Sequence, residues 1–141
     1  LFFWTKYQQY AVNYASSWQY GSQQISAYIK ENYYNYDQIF ITKKYGEPHE
    51  FILFNNLFSP KDYQNLPKDW NFHANWYWID GFDKYHFLND WEIKSQTNNI
   101  SKPTLLITSP QNYNQSNSHL LKTVYYLNGL PAYDIVSLYE N

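Results

Sequence analysis

The sequence predicts a single α/β domain, with two main helices in the N-terminal half, a mixed sheet of about five strands and a C-terminal β-hairpin. Three observations carry this expectation. Apolar and small side chains recur at Trp18, Gly21, Ile25, Tyr28, Ile29 and Tyr33, the 3.6-residue period of a helix with one buried face. Two short apolar runs, Gln38–Thr42 and Thr104–Thr108, are bounded by charge or by Ser-Pro, as buried strands are. Asn128-Gly129 lies between two further apolar runs, the strongest short-range signature of a hairpin.

Taken in order, Ser16-Ser17-Trp18-Gln19 has the form of a capping box, so the first main helix is expected to start there and to run for roughly five turns. Trp18 would then pack inward, leaving the first-turn N–H groups around Gln19 to Gly21 open to an acceptor group. After the strand at Gln38–Thr42, Pro48 can begin a second helix. Phe51, Ile52, Leu53, Phe54, Leu57 and Phe58 are dense enough to fill it as a buried element ending at Ser59-Pro60, with a strand as the alternative. Residues 61–75, rich in Asn, Asp and Pro, read as irregular. Strands are expected at 76–80 and 84–88 around an Asp80-Gly81 turn.

Residues 111–118 read as a polar loop, and strands 121–127 and 130–139 flank Asn128-Gly129. Pro131 cannot donate to a ladder, which calls for an edge or a bulge at that position.

Composition narrows function. Ten lysines and no arginine face twelve carboxylates, a net charge of −2; this balance excludes nucleic acid as a partner, which demands a basic face. Without arginine the planar fork that grips phosphate is missing, so no phosphate clamp is expected. No cysteine or methionine is present, which removes disulfides and thiolate metal sites. No apolar run is long enough to cross a bilayer. The start at Leu1-Phe2-Phe3-Trp4 reads as that of a piece of a longer protein. The abundance of Tyr, Asn and Lys is what an AT-rich genome favours.

Candidate chemistry is sparse. His49, His73, His86 and His119 are dispersed and lack metal-ligand spacing, and no Gly-rich phosphate loop or nucleophile elbow exists. Asp80, Asp83, Asp90 and Glu92 could supply a pair of carboxylates for glycoside hydrolysis; Asp80 and Asp83 also bracket a glycine, where Asp serves a turn. Trp70, Trp76 and Trp78, with Phe72 and Tyr77, could stack on a sugar or meet a membrane surface. Alternation would send at least half of these rings to the core.

Several segments, in order, resemble the extracytoplasmic C-terminal domain of bacterial protein O-mannosyltransferase-like membrane glycosyltransferases. They are Trp18-Gln19-Tyr20-Gly21, Tyr36-Asp37 leading to Lys44-Tyr45-Gly46-Glu47-Pro48, Phe51-Ile52-Leu53-Phe54, Asp80-Gly81-Phe82-Asp83-Lys84-Tyr85-His86-Phe87, Trp91, Leu106-Ile107-Thr108-Ser109-Pro110 and Asn128-Gly129-Leu130-Pro131. The resemblance implies a parent enzyme that uses a lipid-phosphate-linked sugar and keeps its catalytic acids in a membrane body. It implies no catalytic residue, metal or cofactor in this domain. Trp18-Gln19-Tyr20-Gly21 is also similar to the Trp-Trp-Asp-Tyr-Gly acceptor motif of oligosaccharyltransferases, with Gln19 in place of the Asp.

The expectations are therefore a juxtamembrane lead-in over residues 1–15 and an extracytoplasmic domain over 16–141. The implied partners are the transmembrane portion of the same polypeptide, a glycan or protein acceptor, and the membrane surface through Leu1, Phe2, Phe3 and Trp4. Trp18, Gln19, Tyr20, Gly21, Trp76 and Trp78 are the acceptor-contact candidates. An independent aromatic-rich carbohydrate-binding or adhesion module is the alternative.

Overall fold

A computed structural model describes residues 2–138. The α/β class and the mixed sheet are as expected, but the sheet has seven strands, in the order β2-β3-β4-β1-β5-β7-β6. Its centre is β1 (Gln38–Thr42), parallel to both β4 (Tyr85–Leu88) and β5 (Thr104–Thr108). An antiparallel hairpin extends each side: β2 (Lys68–His73) with β3 (Trp76–Phe82) beyond β4, and β6 (Ser118–Tyr125) with β7 (Pro131–Leu138) beyond β5. β1 and β5 have the bounds read from the sequence, because central parallel strands are covered on both faces and show as unbroken apolar runs.

The larger core lies on the face covered by α2 (Ser22–Asn32) and α3 (Pro48–Asn55), where Ile25, Ile29 and Ile52 meet Ile39, Ile41, Leu105, Ile107 and Ile135. The opposite face carries Phe40, Leu106, Val136 and Leu138, closed by Ile93 of α5 (Ile93–Gln96) and by Ile100. The polar stretch read as a plain loop is part of this cover. Its amides donate to backbone carbonyls across the gap, Asn112 to Asp90 at 2.7 Å, Asn114 to Lys94 at 2.9 Å and Asn117 to Thr97 at 2.9 Å, which replaces regular structure as the means of satisfying buried backbone groups.

Several expectations are corrected. A helix precedes the one expected first: α1 spans Phe2–Asn13, and none of its residues is buried. Residues 61–75 are ordered into α4 (Pro60–Asn65), whose N-cap Ser59 accepts from the Asp62 N–H at 3.3 Å, and β2. In α3 only Pro48 and Ile52 are buried, and Phe54 and the following Leu57 are exposed, so this helix presents one face to the core and is not filled all round. The β3–β4 turn falls at Asp83-Lys84, with Asp83 at φ 51°, and Gly81 is inside β3. Asn128-Gly129 does turn between β6 and β7, and Pro131 is the first residue of β7, at a register shift after Val124. Leu1 and Tyr139, named in two expectations, lie outside the described residues.

Candidate functional site

Trp18-Gln19-Tyr20-Gly21 ends one helical path and starts the next. The Tyr20 N–H donates to the Ala15 carbonyl at 3.0 Å and the Gln19 N–H to the Ser16 carbonyl at 3.3 Å, with Gln19 left-handed at φ 54°. That double bond pattern around a left-handed residue is a helix C-cap of the Schellman type, so the segment is the reverse of the N-terminal capping box expected. α2 begins at Ser22 after Gly21. Two expectations fall with it. The N–H groups of Gln19 and Tyr20 are satisfied internally, and Trp18 is 70 % exposed and not in the core. Gly21, at φ 104°, lies so close to Tyr133 and Val124 that a Cβ there would come within 3.1 Å of Val124 Cγ1. Its role is packing.

The β2–β3 hairpin carries the aromatic run. Its two-residue turn, Ala74-Asn75, is left-handed at both positions, φ 52° and 61°, the primed geometry that suits twisted strands. The alternation expected from the sequence is met only at Ile79, which faces the core, while Tyr77 on the same side of the strand is exposed. The rings do not follow it inward: Trp70, Phe72, Trp76 and Tyr77 are exposed and Trp78 is half-buried. The hairpin runs past the sheet, so its outer half has no layer to pack against. Phe72 and Tyr77 pack on each other instead, with ring centroids 4.8 Å apart.

The opposite face of this hairpin walls a cleft of about 620 Å³. It opens at the carboxyl ends of β1 and β4, bounded by Lys43, Lys44 and Gly46 after β1, by Asn89 and Trp91 after β4, and by Asn71, His73 and Trp78 on the hairpin. The carboxyl ends of parallel strands are where open α/β sheets place ligands, because neighbouring connections diverge there. Here the chain leaves β1 toward the hairpin side, and β5 lies on its other side.

Both lysines of the cleft are paired, whereas Glu47, which also lines it, has among the described residues only His49 Nδ1 nearby at 3.4 Å, a ring that burial holds below the ordinary histidine range. Lys43 donates to Asp80, whose other oxygen accepts from Asn71 at 3.0 Å. Lys44 Nζ lies 3.5 Å from Asp90. Asp90 also accepts from Thr42 Oγ1 at 2.9 Å and Ser109 Oγ at 2.8 Å; partial burial pushes its carboxyl up, and these donors with Lys44 outweigh that and hold it below the ordinary carboxylate range. Asp90 thereby ties the ends of β1 and β5 to the turn carrying Asn89 and Trp91, a turn that Glu92 closes by accepting the Asn89 N–H at 3.1 Å. Trp78 Nε1 donates to the His73 carbonyl at 3.2 Å, which restrains the indole and leaves its N–H already satisfied.

Of the candidates named from the sequence, Trp78 is in the cleft wall and Gln19 is at its rim: a Cβ on Gly46 would lie 2.7 Å from Gln19 Nε2. Gly46 itself is left-handed at φ 114°. Trp18, Trp76 and Gly21 are not brought into the cleft lining. The carboxylates considered for hydrolysis are separated into different networks, Asp83 accepting from the Tyr33 hydroxyl and Asp80 from Lys43. Asn71, His73, Asn89 and Trp91 were not singled out as site residues, since only the sheet order brings 71–78 beside 89–91. Among the described residues no group of three or more His, Asp or Glu side chains is arranged to hold a metal ion. Comparison of the chain with family models, with curated proteins and with solved structures finds no match.

Proposed function

We propose that this chain is a noncatalytic extracytoplasmic domain of an integral-membrane glycosyltransferase that uses a lipid-phosphate-linked sugar, supporting the membrane body and contacting the acceptor. The observation that supports it best is α1. Its twelve residues, Phe2–Asn13, include Phe2, Phe3, Trp4, Tyr7 and Tyr10, and none is buried against the domain. Trp4 stacks on Tyr7 at 5.9 Å and Lys6 lies over the Phe2 ring at 5.4 Å, so the rings are arrayed along the helix surface. Aromatic side chains with an apolar body and a polar tip suit the bilayer interface, where the apolar face lost to water would be covered. The reading of the parent as a glycosyltransferase rests on the ordered sequence resemblance.

One observation favours the alternative of an independent carbohydrate-binding or adhesion module: the exposed rings of Trp70 and Trp76. A single experiment separates the two. This chain has no cysteine, so Trp4→Cys and Asn128→Cys each add one labelling site within it; in the full-length parent, expressed in its own membrane, any cysteine outside these residues is first replaced by serine. Our reading expects a nitroxide at position 4 to be accessible to oxygen and shielded from a polar nickel reagent, and position 128 to react with an impermeant maleimide from outside the cell. A water-accessible position 4, or a position 128 reached only after the membrane is broken, refutes it.

A further inference from the structure

We propose that the cleft at the carboxyl ends of β1 and β4 binds a neutral saccharide, with a sugar ring held between the faces of Trp78 and Trp91 and its hydroxyls met by Asn71, Asn89 and His73. This deepens the functional reading above and rests on it only for where the saccharide comes from.

Two classes of ligand suit the cleft poorly. Its two lysines are each matched by a carboxylate, Lys43 by Asp80 and Lys44 by Asp90, so an anionic ligand such as a nucleotide or phosphate would have to compete for cations already paired. A wholly apolar ligand is disfavoured by the lining. The Asn71 amide uses its Nδ2 on Asp80 and keeps an acceptor oxygen. The side-chain amide of Asn89 and the imidazole of His73 make no hydrogen bond to other described residues. Amide and imidazole groups both donate and accept, as sugar hydroxyls do.

Trp91 offers the cleft an apolar ring face. It is 79 % exposed and lies at the cleft edge. The turn bearing it is fixed twice, through Asp90 to Thr42 and Ser109 and through the Glu92 carboxylate to the Asn89 N–H. With its backbone placed by that turn, the indole has only two side-chain torsions to order when something covers it, so most of the apolar area it buries against a pyranose face counts toward binding. Trp78 is restrained by its Nε1 bond. A cleft of about 620 Å³ falls within the usual size of small-molecule sites, with room for more than one sugar ring.

The test is a titration of the 141-residue chain with cellotetraose, mannotetraose and chitotetraose, followed through the indole N–H resonances of its 6 tryptophans. The expected result is saturable movement of the Trp78 and Trp91 signals by at least one of these sugars, with Trp4 and Trp18 unmoved. Trp91→Ala should weaken that binding by about tenfold or more and leave the melting temperature unchanged, as its exposure requires. Asn89→Ala, outside both ion pairs, should also weaken it. Three outcomes overturn the proposal: no indole moves up to the solubility of all three sugars; Trp70 and Trp76 move and Trp91→Ala binds as well as the parent, which assigns the sugar to the hairpin tip; or inorganic phosphate saturates the cleft and the sugars do not. None of these outcomes bears on membrane attachment, and the labelling experiment does not bear on the cleft.

Discussion

Asp90 shows how one side chain can hold a site's frame without belonging to its lining. It receives hydroxyls from Thr42 at the end of β1 and Ser109 just past β5, and Lys44 from beside β1. Replacing it by Asn removes the charge and leaves polar groups without an ideal acceptor, a loss of about 1–3 kcal/mol near neutral pH. Its folded pKa is depressed, so the stability it contributes is present above the unfolded value of about 3.9 and is lost as pH falls through the lower folded value. The stability gap between parent and Asp90→Asn should therefore be full near neutral pH and shrink below about pH 4. His49 and His86, which burial lowers below the ordinary histidine range, add an acid-side loss common to both proteins. Urea midpoints across this range measure it; a gap that grows in acid would contradict the assignment. Trp78, named from the sequence for its place in the aromatic run, lines the cleft. Trp18 was misread, because Ser16-Ser17-Trp18-Gln19 has a capping-box composition while its backbone carbonyls at Ala15 and Ser16 close a C-cap. Only the backbone conformation distinguishes the two.

Among the elements, legibility followed burial. β1 and β5 are sandwiched between two layers and announce themselves as apolar runs, whereas β2, exposed along nearly its whole length, has no buried side to impose a period and reads from the sequence as irregular chain. The hairpin of β2 and β3 is therefore held by its ladder and its Ala74-Asn75 turn more than by a core. α1 reads from the sequence as an aromatic lead-in although Phe3, Trp4, Tyr7, Tyr10 and Tyr14 recur at helical spacing among Lys6, Gln8, Gln9 and Asn13; in the structure none of the residues of α1 is buried. That exposure makes a prediction. Removing residues 2–13 takes away no buried side chain, so the unfolding free energy of the remaining chain should change by no more than about 0.5 kcal/mol, the range of surface changes. Denaturant unfolding of the two chains measures it, and a larger loss would mean that α1 docks on the domain, against the membrane-facing role proposed for it.

For the molecule as a whole, the site depends on strand order. Sequence distance gives no hint that 71–78 and 89–91 flank the end of β1; that follows from β3-β4-β1 adjacency, and pairings of this kind are set by the packing of the complete sheet. The sheet in turn needs both of its faces covered. One has two helices; the other has the single short turn of α5 and an asparagine-stapled loop. If that irregular layer is as solid as the helical one, neighbouring residues on β5 that point to opposite faces should be equally costly to truncate. Leu105 belongs to the helix-side core and Leu106 to the other, and both are fully buried. Leu105→Ala and Leu106→Ala should each destabilise by about 2–5 kcal/mol, the transfer loss plus the cavity left in a wall that cannot collapse. Chemical unfolding at room temperature decides it. A Leu106→Ala cost well under that range, with Leu105→Ala within it, would mean that the loop side relaxes into the cavity; the Asp90 turn rooted in that layer would then be too compliant to hold Trp91 ready for a ligand.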